Sequence, residues 1–177
     1  LASMHFQAGE SQLQLKEVAK AQIHFAAAAG IEGSPQALVE SITMRLAETQ
    51  ALTGEHSEAA TSYQAFLERF PESRWTRNAR FGFAFATENS GDPTTALSEY
   101  STILDEPKTD LWTVRSRFQT GSCHAELKKF DQAVVEFVKV EISYPQYPQW
   151  QAQAVLEIGR VLLAQKKVAR ARERFEE

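Results

Sequence analysis

The sequence predicts an all-α array of antiparallel helix hairpins. Three observations predict it. A small residue followed four places later by an aromatic one recurs five times; a second series of small residues keeps a constant distance from the first; and no segment shows the two-residue alternation of a half-buried strand. The five pairs are Ala21 with Phe25, Ala59 with Tyr63, Ala96 with Tyr100, Ala133 with Phe137 and Ala171 with Phe175, spaced 38, 37, 37 and 38 residues apart.

Gly9, Ala47, Ala84, Gly121 and Gly159 each precede the small member of a pair by twelve positions. Trp75, Trp112 and Trp150 stand nine residues before three of these, with Leu38 in the equivalent place one repeat earlier. Pro71, Pro107 and Pro145 close successive repeats. Helical packing explains each register. Gly or Ala on a first helix lets the second cross at an interaxial distance of roughly 8 Å. The small residue of each pair faces it from the second helix. The aromatic, one turn further along the same face, is expected to fill the space toward the next hairpin. The tryptophans read as wedges between successive hairpins. Proline ends the second helix, because it lacks an amide hydrogen and restricts the residue before it.

These signals predict ten helices, at approximately 2–15, 17–30, 36–52, 56–69, 74–89, 93–105, 110–127, 131–143, 148–165 and 168–177. Thr53-Gly54-Glu55 and Ser90-Gly91-Asp92-Pro93 read as turns within hairpins, and Asp131 as an N-cap. The repeats fall at approximately 1–35, 36–72, 73–109, 110–147 and 148–177, and are expected to form a single repeat domain over 1–177. The first residues lie inside a first helix and the last inside a second, so the chain is expected to be a piece of a longer array, which would bury its end faces.

A chain of 177 residues removes about 70% of its extended surface from water on folding, which supports a core without staples. The lone Cys123 cannot form an internal disulfide. A net charge of −4 argues against nucleic acid as a partner, since polyanion binders concentrate Lys and Arg. No apolar run reaches the 18 to 20 residues or so of a membrane span, so this segment is not expected to insert into a membrane. Residues 1–72 hold four Lys and Arg against nine acids, and 115–177 hold eleven against eight. This reads as variation among solvated helix faces, or as a graded field that orients a charged partner. The basic stretch Lys166-Lys167-Val168-Ala169-Arg170-Ala171-Arg172-Glu173-Arg174 reads better as a solvated face than as an RNA or lipid contact.

The sequence carries little that could do chemistry. His5, His24, His56 and His124 read as scattered, with no second histidine at metal-ligand spacing. Cys123-His124 is the one adjacency that could supply a thiol and an imidazole. Neighbours on a helix diverge by about 100°, which favours a buried thiol beside a surface or groove histidine. Gly-x-x-x-x-Gly-Lys, Gly-x-Gly-x-x-Gly and Gly-x-Ser-x-Gly are all absent. No enzyme, cofactor or metal is expected.

A small residue in the first helix, Ala followed by an aromatic in the second and a closing Pro resemble the tetratricopeptide repeat family over essentially the whole chain. The period of 37 or 38 in place of 34, with Phe70-Pro71-Glu72-Ser73 and Tyr144-Pro145, is similar to bacterial cell-envelope repeats of the outer-membrane assembly lipoprotein and Tol-Pal division coordinator type. Pro107 without a preceding aromatic and Gly33-Ser34-Pro35 depart from that variant. The resemblance implies a right-handed superhelix whose concave surface, built from first helices, holds a partner protein or peptide, with the bacterial periplasm as the setting the variant suggests. One row of groove candidates is Phe6, Met44, Phe81, Phe118 and Leu156, which as a helical stripe also reads as hairpin core. The next is Glu10, Glu48, Phe85, Ser122 and Arg160, with Phe85 expected to face the groove if Phe81 faces the core. The clamp of Lys, Asn and Arg by which some relatives hold chaperone tails is not supplied, since the positions that should carry it hold Ser3, Gln7, Ser41, Arg45, Asn78, Gly82, Arg115 and Gln119, without the Lys and Asn pairing. The leading reading is a binding scaffold. A spacer in a longer solenoid, or the docking arm of an enzyme whose catalytic domain lies elsewhere, are its rivals.

Overall fold

A computed structural model describes residues 1–176 and contains ten helices and no strand among them. They are α1 (Ala2–Gln14), α2 (Val18–Ala29), α3 (Gln36–Thr53), α4 (His56–Arg69), α5 (Thr76–Asn89), α6 (Pro93–Asp105), α7 (Leu111–Glu126), α8 (Phe130–Ser143), α9 (Pro148–Ala164) and α10 (Val168–Glu176). The ends expected from the sequence differ from these by two residues at most, the expected last position, 177, lying outside the described residues. The chain divides into two compact units, Leu1–Ser90 with α1 to α5, and Gly91 onward with α6 to α10.

In the first unit α1 packs on α2, α2 on α3, α3 on α4 and α4 on α5, and the first helices α3 and α5 also touch. The ring of Phe25 lies against Gly9, where an added Cβ would sit 2.6 Å from the ring carbon Cε1. The aromatic therefore packs onto the first helix of its own hairpin. A glycine leaves room for a ring, and the ring takes it. The second hairpin has Ala47 at that position, and its aromatic Tyr63 meets Gly82 of α5 in the following hairpin, as the spacing suggested, with 2.3 Å between Cζ and a would-be Cβ. Met44, Ala47, Ala59, Tyr63, Phe66, Phe70, Ala79 and Ala86 form the buried core there, with Trp75 packed against it. Leu38 packs on a smaller cluster of Ala2, Ala28 and Ile42.

The second unit repeats the contact in both of its complete hairpins. Phe137 of α8 lies on Gly121 of α7, and Phe175 of α10 on Gly159 of α9. Trp150 meets Phe118 of the preceding first helix edge-on at 5.2 Å between ring centres, the wedge expected of it. Arg117 ties α7 to α8, its Nη1 2.8 Å from the Glu136 carboxylate and its Nε donating to the Tyr144 hydroxyl at 2.9 Å. In α10 the basic run is partly paired within the fold, Arg172 with Glu176 and Arg174 with Glu141.

Phe70 and Tyr144 end α4 and α8 in one conformation, φ −129°, ψ 57° and φ −129°, ψ 58°, each followed by proline. Asp110 caps α7 in a capping box with Thr113. Asp131 is not a cap: α8 begins one residue earlier, with Lys129 at the N-cap position. The Asp131 carboxylate lies in the exposed first turn and accepts from Gln165 Nε2 at 2.9 Å.

The hairpin turns hold a register that the residue types conceal. Lys16, Gly54, Gly91, Lys128 and Lys166 all have positive φ, at 61°, 85°, 92°, 58° and 62°, and they follow the 37- and 38-residue period. At Lys16, Gly54, Lys128 and Lys166 the turn closes by two backbone bonds. The positive-φ residue donates three residues back, and the next residue donates five back, as in Glu17 N–H to Gln12 at 2.9 Å and Lys129 N–H to His124 at 2.8 Å. This is the Schellman closure, which glycine fills without strain and a lysine fills at a cost. Replacing Lys128 by glycine is therefore expected to raise stability by about 0.5–1 kcal/mol. Urea denaturation checks it, since the same change at the right-handed Lys139 in mid-α8 should destabilise by a similar amount.

Candidate functional site

The first helices of the first unit form a depression of about 310 Å³ lined by Phe6, Ser41, Met44, Arg45, Glu48, Arg74, Trp75 and Asn78. Phe6 comes from α1, the next four residues from α3, Arg74 and Trp75 from the entry to α5, and Asn78 from its first turn. These side chains converge because residues three and four apart share a helix face, and because α3 and α5 pack as neighbours. The volume lies at the lower end of the range for ligand pockets.

The charges inside it are unequal. Arg45 is held on both sides, with its Nε 2.7 Å from Glu10 and its Nη1 2.7 Å from Glu48. Its charge is spent within the fold. Arg74 makes no ion pair among the described residues, and its guanidinium lies over the Trp75 ring at 4.8 Å from the centroid. A cation held on an aromatic face at a pocket edge, beside the amide of Asn78, can meet an anionic group, while Phe6 and Trp75 offer apolar surface. Ser41, Arg74 and Trp75 also border a second depression with Ala37, Glu40, Glu72 and Ser73.

The residues marked out from the sequence are placed as follows. Phe6, Met44 and Glu48 line this depression, and Glu10 joins it through Arg45. Met44 and Phe81 keep only 4% and 3% of their surface, so they are floor and core, not contact surface. Phe85 is half-buried, and its ring stacks on that of buried Phe81 at 6.1 Å and 13°, one turn away on the same helix. In the second unit Phe118 is half-buried between Phe137 and Trp150, each 5.2 Å away. Ser122 donates to the Phe118 carbonyl at 3.4 Å, Leu156 is 49% exposed, and Arg160 is an exposed partner of Glu157. Of the positions considered for a chaperone clamp, Ser41, Arg45 and Asn78 are in the depression. Arg74 was missed. The only signal for it is a cation immediately before Trp75, a residue read as a wedge.

Reactive chemistry finds little support. Cys123 is fully buried, which puts its thiol out of reach of a substrate. Burial holds the neighbouring His124 below the ordinary imidazole range, with Glu136 pulling it up and Lys129 pressing it further down. Its Nδ1 is enclosed without a hydrogen-bond partner among the described residues. No three His, Cys, Asp or Glu side chains converge on a metal position, and no helix is long and apolar enough to cross a membrane, both among the described residues. His5 and His24, read as scattered, are in fact brought together across the first hairpin, their Nδ1 atoms 3.4 Å apart.

Residues 44–73 match the profile of the tetratricopeptide repeat family. No curated protein sequence matches the chain significantly. Solved structures do. Apo RapI superposes with a TM-score of 0.87 at 16% identity, over 99% of this chain and 68% of that one. A Rap protein complexed with Competence and Sporulation Factor gives 0.76 at 14% identity, over 99% of this chain and 52% of the other, so the chain spans about half of that protein. YrrB, described as a TPR protein with an unusual peptide-binding site, gives 0.67 at 17%, over 97% and 81%. These likenesses establish the fold: a tetratricopeptide-like, all-helical repeat solenoid.

The His124 shift has a sign that can be tested. The imidazole stays neutral in the fold and takes up a proton more readily in the unfolded chain. The stability it confers is present above the ordinary histidine value of about 6.5 and is lost as pH falls from there through the depressed folded value. Denaturation midpoints from pH 7.5 down to 5 should fall less steeply in His124→Gln than in the wild type. Equal slopes would assign the acid sensitivity to other groups.

Proposed function

We propose that this chain is a non-catalytic scaffold that holds a segment of a partner protein on the first-helix face of its first unit. The observation that carries the reading is Arg74, a cation without an ion pair that lies on Trp75 beside a depression whose other arginine is neutralised. The segment best suited to it carries an apolar side chain for the depression and a carboxylate for Arg74. Glu10, Glu48, Phe6 and Met44 shape that site, and Phe85 extends its apolar edge. Ser122, Leu156, Arg160 and Phe118 belong to the corresponding face of the second unit. A Rap protein complexed with Competence and Sporulation Factor, and YrrB, described as having an unusual peptide-binding site, support the reading. This is support by likeness of fold.

Envelope assembly as the setting rests on the 37- or 38-residue period and on the Phe-Pro and Tyr-Pro closures alone. The spacer and docking-arm readings both leave the depression without a ligand of its own.

The test is a tiled peptide library probed with the protein and with Arg74→Glu, whose exposed side chain can change without disturbing the core. Wild type should select peptides pairing an acidic with an apolar residue, and Arg74→Glu should weaken them about tenfold or more, as charge reversal at a contact does. Selection of nothing, or of peptides held equally by both proteins, would remove this site and favour the spacer.

A further inference from the structure

We propose that His5 and His24 form a two-histidine site for a single divalent ion of the zinc type on the first hairpin. The two rings come from different helices, α1 and α2, and approach through the same atom, Nδ1 to Nδ1, at 3.4 Å. Their centroids are 5.7 Å apart and the planes are tilted by 40°. For a direct N–H···N bond this is long, since such contacts settle near 2.9–3.0 Å. For two donors on one tetrahedral ion it is the expected separation. Zinc–nitrogen bonds of about 2.0–2.1 Å at a tetrahedral angle set the nitrogens roughly 3.3–3.4 Å apart. The rings are already spaced for an ion between them, and neither has another hydrogen-bonding partner among the described residues.

The packing that builds the hairpin also builds this pair. Gly9 carries no Cβ and lets Phe25 of α2 lie against α1. His5 is one helical turn before Gly9, and His24 is the neighbour of Phe25, so closing the helices on that ring brings the two Nδ1 atoms together. Phe6 packs on Phe25 at 5.7 Å and further limits their relative motion. Both rings are half-buried, so the ion's remaining positions stay open to solvent. Two imidazoles and water make a nitrogen-rich, incomplete shell, which favours zinc, nickel or copper over calcium or magnesium. In the ion-free pair one Nδ1 must carry the shared proton. Uptake moves that proton to Nε2 of the same ring and leaves both Nδ1 lone pairs for the ion.

The test is a titration of the chain with zinc chloride, followed by histidine ring resonances in two-dimensional NMR and by the thermal midpoint. The resonances of His5 and His24 should move together and saturate at one ion per chain, while those of His56 and His124 stay in place. The midpoint should rise with zinc concentration, as it must for an ion that binds only the folded state. Both effects should vanish in His5→Asn and in His24→Asn and persist in His56→Asn. Shifts spread over all four histidines, a rise in midpoint that survives both substitutions, or no response up to millimolar zinc would each overturn the proposal. Should a substituted protein fail to fold, as circular dichroism would show, the pattern of wild-type resonances decides alone.

Discussion

A first helix that lacks a side chain at one point, and an aromatic ring from the second helix that occupies the vacated space, set the geometry of the hairpins. At Gly9, Gly121 and Gly159 a single added carbon would lie inside the van der Waals envelope of Phe25, Phe137 or Phe175. The small residue one turn before each ring, Ala21, Ala133 or Ala171, is fully buried. Close packing on this scale tolerates few changes of volume. The second hairpin reaches the same end with the partners exchanged: Ala47 keeps its methyl group, and Tyr63 turns its ring to Gly82 of the following helix.

What that packing leaves over is the first-helix surface. With Met44 and Phe81 drawn into the interior, the outward groups of α3 and the entry to α5 are Ser41, Arg45, Glu48, Arg74 and Asn78. Arg45 braces α3 against α1 through Glu10, so its charge serves the scaffold, while Arg74 lies over Trp75 without an ion pair among the described residues. Surface ion pairs of this kind add little to stability. Their effect here is on which cation is available. The same hairpin closure sets His5 opposite His24.

How much of this could be read from the chain depends on whether a residue type carries a signature. Gly, Ala, the aromatic residues, Trp and Pro have steric consequences visible in sequence, so the hairpins and their phase were legible. The contact of each ring with a glycine of a neighbouring first helix was less legible, because Gly and Ala look interchangeable as small residues. The turn register was half legible, announced by Gly54 and Gly91 and hidden at Lys16, Lys128 and Lys166, since lysine gives no hint of a left-handed backbone. His5 and His24 are 19 positions apart and looked unrelated. In an antiparallel pair, residues at similar distances on either side of the turn face each other, a relation that needs the hairpin to be placed first. Arg74 lies outside every periodic position, and only the structure shows it over Trp75.

The most direct test of this account is a double-mutant cycle between Gly121 and Phe137, read by urea denaturation. Gly121→Ala alone should destabilise by about 1–3 kcal/mol from overpacking, although alanine is worth about 1 kcal/mol more than glycine in a helix. In a Phe137→Leu background, where the smaller side chain yields space, the same change should be neutral or stabilising, giving a coupling above about 1 kcal/mol. Additive effects, or a Gly121→Ala protein more stable than the wild type, would contradict the claim that an absent side chain and a ring hold the hairpins together.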